Sequence, residues 1–115
     1  MQIDISGRHK FKVSDMLRDY VAEKMPKLER FSLKIETAHV VFEAEKVNQT
    51  CEIVLLGKNI RLTACETTTA MQASFDAALG NLMHQLERHH EKIKQHRHEK
   101  IRLESAANNN DEDES

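Results

Sequence analysis

Apolar and polar positions along this chain change period several times, and each change marks an element. Residues 2–6 alternate, with Ile3 and Ile5 on one side, and predict a short strand closed by Gly7. After Ser14, a good N-cap residue, Leu17, Tyr20, Val21 and Leu28 fall at helical spacing. Pro26 sits inside that pattern. It removes a backbone donor and clashes with the preceding turn, so a kink or a break into a short last turn is expected near residues 24–26. Alternation returns over Ile35–Glu45, with Ala38, Val40, Phe42 and Ala44 on one face, and again over residues 50–56. Gly57, Lys58 and Asn59 signal a turn, and residues 60–66 pair back as a hairpin. Thr67, Thr68 and Thr69 offer N-caps for a second helix over residues 70–100. That helix carries Phe75, Leu79, Leu82 and Leu86 on one stripe.

The order is β-α-β-β-β-α. It predicts an α+β fold, a four-stranded mixed sheet with two helices on one face. The first helix is a crossover, so the first two strands are expected to be parallel neighbours, and the later strands antiparallel hairpins. Residues 1–104 form one domain on this reading. Residues 105–115, ending NNNDEDES, lack apolar periodicity and are expected to be a disordered acidic tail.

Charge sharpens that division. The formal net charge of −2 combines a body and a tail of opposite sign. Residues 1–103 hold all 17 Lys and Arg against 14 of the 19 acids, a net +3, whereas residues 104–115 hold five acids and no base, a net −5. No apolar stretch suits a membrane span or a secretory signal, so a cytoplasmic protein is expected. Cys51 falls in phase with Ile53 and Leu55, while Cys65 falls out of phase with Ile60, Leu62 and Ala64. On two strands of one sheet the thiols then face opposite ways and cannot form a disulfide.

Catalytic and metal chemistry find little support. Three glycines, Gly7, Gly57 and Gly80, cannot build a phosphate-cradling loop, and no nucleophile motif is present. Asp76, beside Phe75, reads as a helix-surface or dipole-related acid. None of His84, His89, His90, His96 and His98 makes the i, i+4 pair of a zinc-binding helix. The protein is therefore expected to be neither an enzyme nor a metal or cofactor binder. Cations are better organised. Arg88, Lys92 and Lys94 lie in the second half of the second helix, Lys24, Lys27 and Arg30 late in the first, and Arg8 and Lys10 just after the first strand. Helices packed side by side would join these groups into one phosphate-binding surface. The five aromatic residues fall largely on apolar faces, which argues for structured RNA read by backbone and shape, not base stacking on the sheet.

Four stretches, QIDISGRH, LRDYVAEKMPKLERF, AHVVFEAEK and AMQASFDAALGNLMHQLERHHEK, in that order and spacing, resemble the short ribosome hibernation promoting factor and ribosome-associated inhibitor A family, also called sigma-54 modulation proteins. The resemblance covers about residues 1–95. It implies a fold similar to a double-stranded-RNA-binding domain. It also implies binding to the small ribosomal subunit, in the channel of messenger RNA and the A-site and P-site tRNAs. Translation would be silenced there by occlusion, under stress or in stationary phase. Matching positions are Arg8, Lys24, Lys27, Arg30, Lys92 and Gln85, with Arg88 and Lys94 in a helix end of shared basic character. The chain departs from the family pattern at Gln72, Asn81 and Pro26. A chain of this length would lack the C-terminal dimerisation domain of long members, and its acidic tail is similar to that of the inhibitor A branch. The alternative reading is a protein-interaction module that modulates a transcription or stress regulator through the open sheet face at Val41, Val54 and Leu56.

Overall fold

The computed structural model describes residues 1–31 and 34–98, the side chains of residues 90–98 excepted. The expected acidic tail lies outside the described residues. The elements run β1 (Gln2–Gly7), α1 (Asp15–Lys24), a 3-10 helix (Met25–Phe31), β2 (Ile35–Glu45), β3 (Asn48–Gly57), β4 (Ile60–Thr68) and α2 (Met71–His98). The strands form one sheet in the order β1-β2-β3-β4, with β1 parallel to β2 and the remaining pairs antiparallel. This is the mixed four-stranded α+β layout that the β-α-β-β-β-α order predicts.

Register fixes which side chains meet. Ile3 and Ile5 pair with Ala38 and Val40. Phe42, Val40 and Ala38 pair in turn with Cys51, Ile53 and Leu55. These residues share one face and meet the inward side chains of the helices: Leu17 and Val21 from α1, and Phe75, Ala78, Leu79, Leu82 and Leu86 from α2. Phe42 is fully buried at the centre, with its ring 6.4 Å from both Phe11 and Phe75. Period-2 alternation leaves Asp4, His39, Glu43, Glu52, Thr63 and Cys65 on the open face. Cys51 is buried and Cys65 exposed, as the phase argument requires, and both thiols are free. Burial pushes the Cys51 thiol up to about 12.

Pro26 breaks the first helix by changing its pitch. Ser14 caps α1, its hydroxyl accepting from the Leu17 N–H at 3.1 Å. The α-helix closes at Lys24, and the chain continues as a 3-10 helix. A 3-10 helix has three residues per turn, so side chains at i and i+3 eclipse. Met25, Leu28 and Phe31 therefore stack on one line, and all three are buried. Seven residues is long for this helix type. The missing Pro26 N–H and the three-residue spacing of this apolar row both favour the tighter pitch.

Two close contacts set the ends of the elements. A Cβ at Gly7 would collide with the backbone carbonyl of Phe11, so only glycine lets the loop after β1 fold back and deliver Phe11 to Phe42. In that loop His9 and Lys10 adopt left-handed backbone, with φ of 56° and 67°. At the start of α2 the threonine run acts differently from a simple N-cap. The Thr68 hydroxyl accepts from the Ala70 N–H at 3.1 Å and lies 2.7 Å from the Ser74 hydroxyl. Ser74, fully buried, accepts from the Thr68 N–H at 3.0 Å and donates to the Gln49 carbonyl at 2.5 Å. One hydroxyl thus ties β3, β4 and α2 together.

Candidate nucleic-acid interface

Lys24, Lys27 and Arg30 all come from the α1 to 3-10 junction. The same three-residue period that buries Met25, Leu28 and Phe31 places Lys27 and Arg30 on a common ridge, which Lys24 begins. Two of the three cations are seated on aromatic rings. The Lys24 ammonium lies 5.5 Å from the centroid of Tyr20, and the Arg30 guanidinium 5.0 Å from that of Phe31. Both fall within the range of cation–π attraction. Lys27 stands exposed between them.

The Tyr20 ring is itself held. Its edge meets Phe75 at 5.8 Å, and its hydroxyl donates to the Asp76 carboxylate at 2.7 and 3.0 Å. That hydrogen bond, with burial and the carboxylate charge, raises the Tyr20 phenol above its ordinary range. Asp76 is exposed on α2, in keeping with its reading as a helix-surface acid, and there it is also an inter-helix acceptor joining α2 to α1. Periodicity could not reveal this, because the partners stand 56 residues apart.

Arg8 is held apart from this ridge. Its guanidinium pairs with Glu52 at 3.1 Å and Glu43 at 3.4 Å, both on the open face of the sheet. The hydrogen bond to Glu52 raises its pKa further. His9 approaches the other oxygen of Glu43 at 3.4 Å, and Lys10 follows, exposed. The expected single surface uniting Arg8 with the helices does not form, because β1 delivers Arg8 to two carboxylates on the face away from the helices.

Gln85 also has a structural task. Its side-chain amide donates to the Thr63 carbonyl and to Asn81, both at 2.9 Å, and Asn81 donates to Glu66 at 3.0 Å. This relay fastens α2 along β4. Sequence reasoning missed Asn81 and Glu66 as its other members. A glutamine and an asparagine four residues apart on one helix face are its only local signal. Arg88 is exposed on α2. Lys92 and Lys94 belong to the same helix, and their side chains lie outside the described residues. Among the described residues, no group of three or more His, Cys, Asp or Glu could hold a metal ion.

Fold and surface together define a class: a two-layer α+β module whose helical layer presents cations to solvent. Within it, the chain belongs to the sigma 54 modulation protein / S30EA ribosomal protein family, whose model matches residues 3–94. It is 33% identical over 96 residues to the ribosome hibernation promoting factor of Klebsiella oxytoca, covering 84% of this chain and 100% of that protein. To the factor of the same name from Azotobacter vinelandii it is 38% identical over 92 residues, covering 80% and 85% of the two chains. Among solved structures it is similar to the N-terminal domain of Protein Y from Thermus thermophilus, with a TM-score of 0.69 and 28% identity over 76% of this chain and 98% of that one.

Proposed function

We propose that this protein is a ribosome hibernation factor. It binds the small ribosomal subunit in the channel used by messenger RNA and the A-site and P-site tRNAs, and silences translation there under stress or in stationary phase. The observation that carries this reading is family membership across residues 3–94, nearly the whole described chain. The cation ridge supports it, because lysine and arginine on a rigid surface contact RNA phosphates without needing base sequence. The mechanism is occlusion. A folded domain held by phosphate contacts occupies space that messenger RNA and tRNA need, and no bond is made or broken. Binding sites are Lys24, Lys27 and Arg30 on the ridge, with Arg88, Lys92 and Lys94 along α2 and Lys10 in the loop after β1. Gln85 acts by holding α2 in place, and Arg8 would contact RNA only by exchanging its two carboxylates for phosphate. The setting is the cytoplasm, and no described helix is long and apolar enough to cross a membrane.

An interaction module working through the sheet face draws less support. Val41, Val54 and Leu56 are half-buried there, and the large hydrophobics that stand exposed among the described residues are Met16 and Val47, in α1 and the β2–β3 turn. Sedimentation with purified ribosomes and separated subunits tests the proposal. Co-migration with the small subunit at low salt, abolished at high salt, is expected. Failure to co-migrate at low salt overturns it.

A further inference from the structure

Lys24, Lys27 and Arg30 stand without acidic partners. Among the described residues Arg8 pairs with Glu43 and Glu52, and the N-terminal ammonium faces Glu29, but no carboxylate lies within ion-pair distance of these three cations. Residues 24–31 hold three bases and one acid, and that acid, Glu29, is the one facing the N-terminal ammonium, at 3.7 Å. Lys24 and Arg30 are held over Tyr20 and Phe31. An uncompensated surface of one sign attracts counter-charge. The chain itself carries that charge: Asp111, Glu112, Asp113 and Glu114 are successive acids, and no base follows Arg102.

Connectivity puts these acids within reach. The 3-10 helix leads into β2 at Ile35, which pairs with Gly57, which in turn pairs with Ile60 at the start of β4. α2 runs back along β4 toward that same end, with Gln85 bonded to Thr63, and it contacts the 3-10 helix. It then continues to His98. From Leu86, fully buried, to His98 the helix rises about 18 Å. Asp111 follows His98 by 13 residues. A chain of that length spans up to about 45 Å, enough to return past the projecting helix to the ridge. The cations of α2 are a poorer target, because residues 87–100 interleave five bases with three acids.

We propose that Asp111, Glu112, Asp113 and Glu114 dock on Lys24, Lys27 and Arg30 of the same molecule when RNA is absent. The ridge then exchanges an internal carboxylate ligand for an external phosphate one. The identity of the displacing ligand rests on the ribosome-binding reading; the docking itself does not. Tethering keeps the carboxylates at a high effective concentration, and affinity for RNA falls in proportion to the fraction of molecules whose ridge is uncovered. A polyanion that touches the ridge alone competes poorly, whereas one that also contacts α2 can displace the acids.

Two measurements on the full chain test this. Zero-length carbodiimide cross-linking at low salt, mapped by mass spectrometry, should join Lys24 or Lys27 to residues 111–114 within one molecule. The yield should be independent of protein concentration and fall at high salt. Cross-links from these acids only to Lys92, Lys94 or Lys100 would overturn the proposal. The second measurement is binding to purified small ribosomal subunits at low salt, for wild type, D111N/E112Q/D113N/E114Q, Lys27→Ala and their combination. Docking predicts that neutralising the four acids tightens binding several-fold, and that this gain shrinks in the Lys27→Ala background. An equal gain in both backgrounds would show that the acids repel RNA without covering the ridge, and no gain would show that they are inert. Either result overturns the proposal and leaves the ribosome-binding reading intact. Failure of both wild type and the neutralised variant to bind would overturn that reading and the inhibitory role with it, whereas the cross-links judge the docking independently.

Discussion

Ser74→Ala removes one oxygen atom and should cost this domain far more than a typical surface change. The Ser74 side chain is fully buried where α2 begins. Its oxygen accepts the Thr68 N–H at 3.0 Å, its proton goes to the Gln49 carbonyl at 2.5 Å, and the Thr68 hydroxyl lies at 2.7 Å. Alanine fits the space but leaves the Thr68 N–H without this acceptor. An orphaned buried donor costs about 1–3 kcal/mol, and the missing hydroxyl bonds add about 0.5–1.5 kcal/mol each, so a total of about 2–4 kcal/mol is expected. For a domain of this size that is a fall in Tm of roughly 10 °C or more. Urea unfolding followed by circular dichroism should show a lower midpoint at unchanged slope, since the surface exposed on unfolding is nearly the same. Ser6→Ala, on an exposed residue of β1, is the control and should stay within about 0.5 kcal/mol. A Ser74→Ala destabilisation as small as the control's would refute the argument that this hydroxyl joins β3, β4 and α2.

Other consequences follow from burial and from the bond between the two helices. Cys65 should react with a thiol reagent in the folded protein while Cys51 reacts only on unfolding; because burial and the Glu52 and Glu66 carboxylates raise the Cys65 thiol, its reaction should accelerate at higher pH than that of a free thiol. Equal labelling rates for both cysteines would contradict the register. Leu86→Ala truncates a fully buried side chain and should destabilise the fold by about 2–5 kcal/mol, while leaving the salt dependence of ribosome binding unchanged. Tyr20 is the only tyrosine and tryptophan is absent, so phenolate absorbance reports Tyr20 alone. Its folded pKa is raised, so the bond to Asp76 contributes stability fully below the ordinary phenol pKa of 10.0 and loses it as pH climbs through the raised value. Asp76→Asn should return the midpoint toward 10.0, and an unchanged midpoint would exclude the carboxylate as its main cause.

Strand phases are plain in the sequence, because Ile3, Ala38, Phe42, Cys51 and Ile53 announce one face by alternation, and a sheet with one covered face obeys that period strictly. The break at Pro26 is equally plain, since a missing N–H is a local fact. Its consequence is harder to see. A period of three over nine residues is short, and Leu28 fits helical spacing well enough to hide a change of pitch. The cations are visible as residue types, yet charge carries no direction until partners are known. Arg8 and Lys24 look alike on paper; one is paired with Glu43 and Glu52, and the other rides on a tyrosine.

By itself, then, the sequence determined what is local: the elements and their order, the inward face of each strand, the cap at Ser14, the interruption at Pro26 and the opposite facing of the two cysteines. These depend on backbone sterics and on the period of apolar residues, both written within a few positions of each other. The tertiary structure alone decided which groups meet across long separations: Tyr20 with Asp76, Arg8 with Glu43 and Glu52, Ser74 with Gln49, and Gln85 with Thr63. Hydrogen bonds and ion pairs act over a few ångströms, so their partners are chosen only when sheet register and helix docking bring distant residues into range.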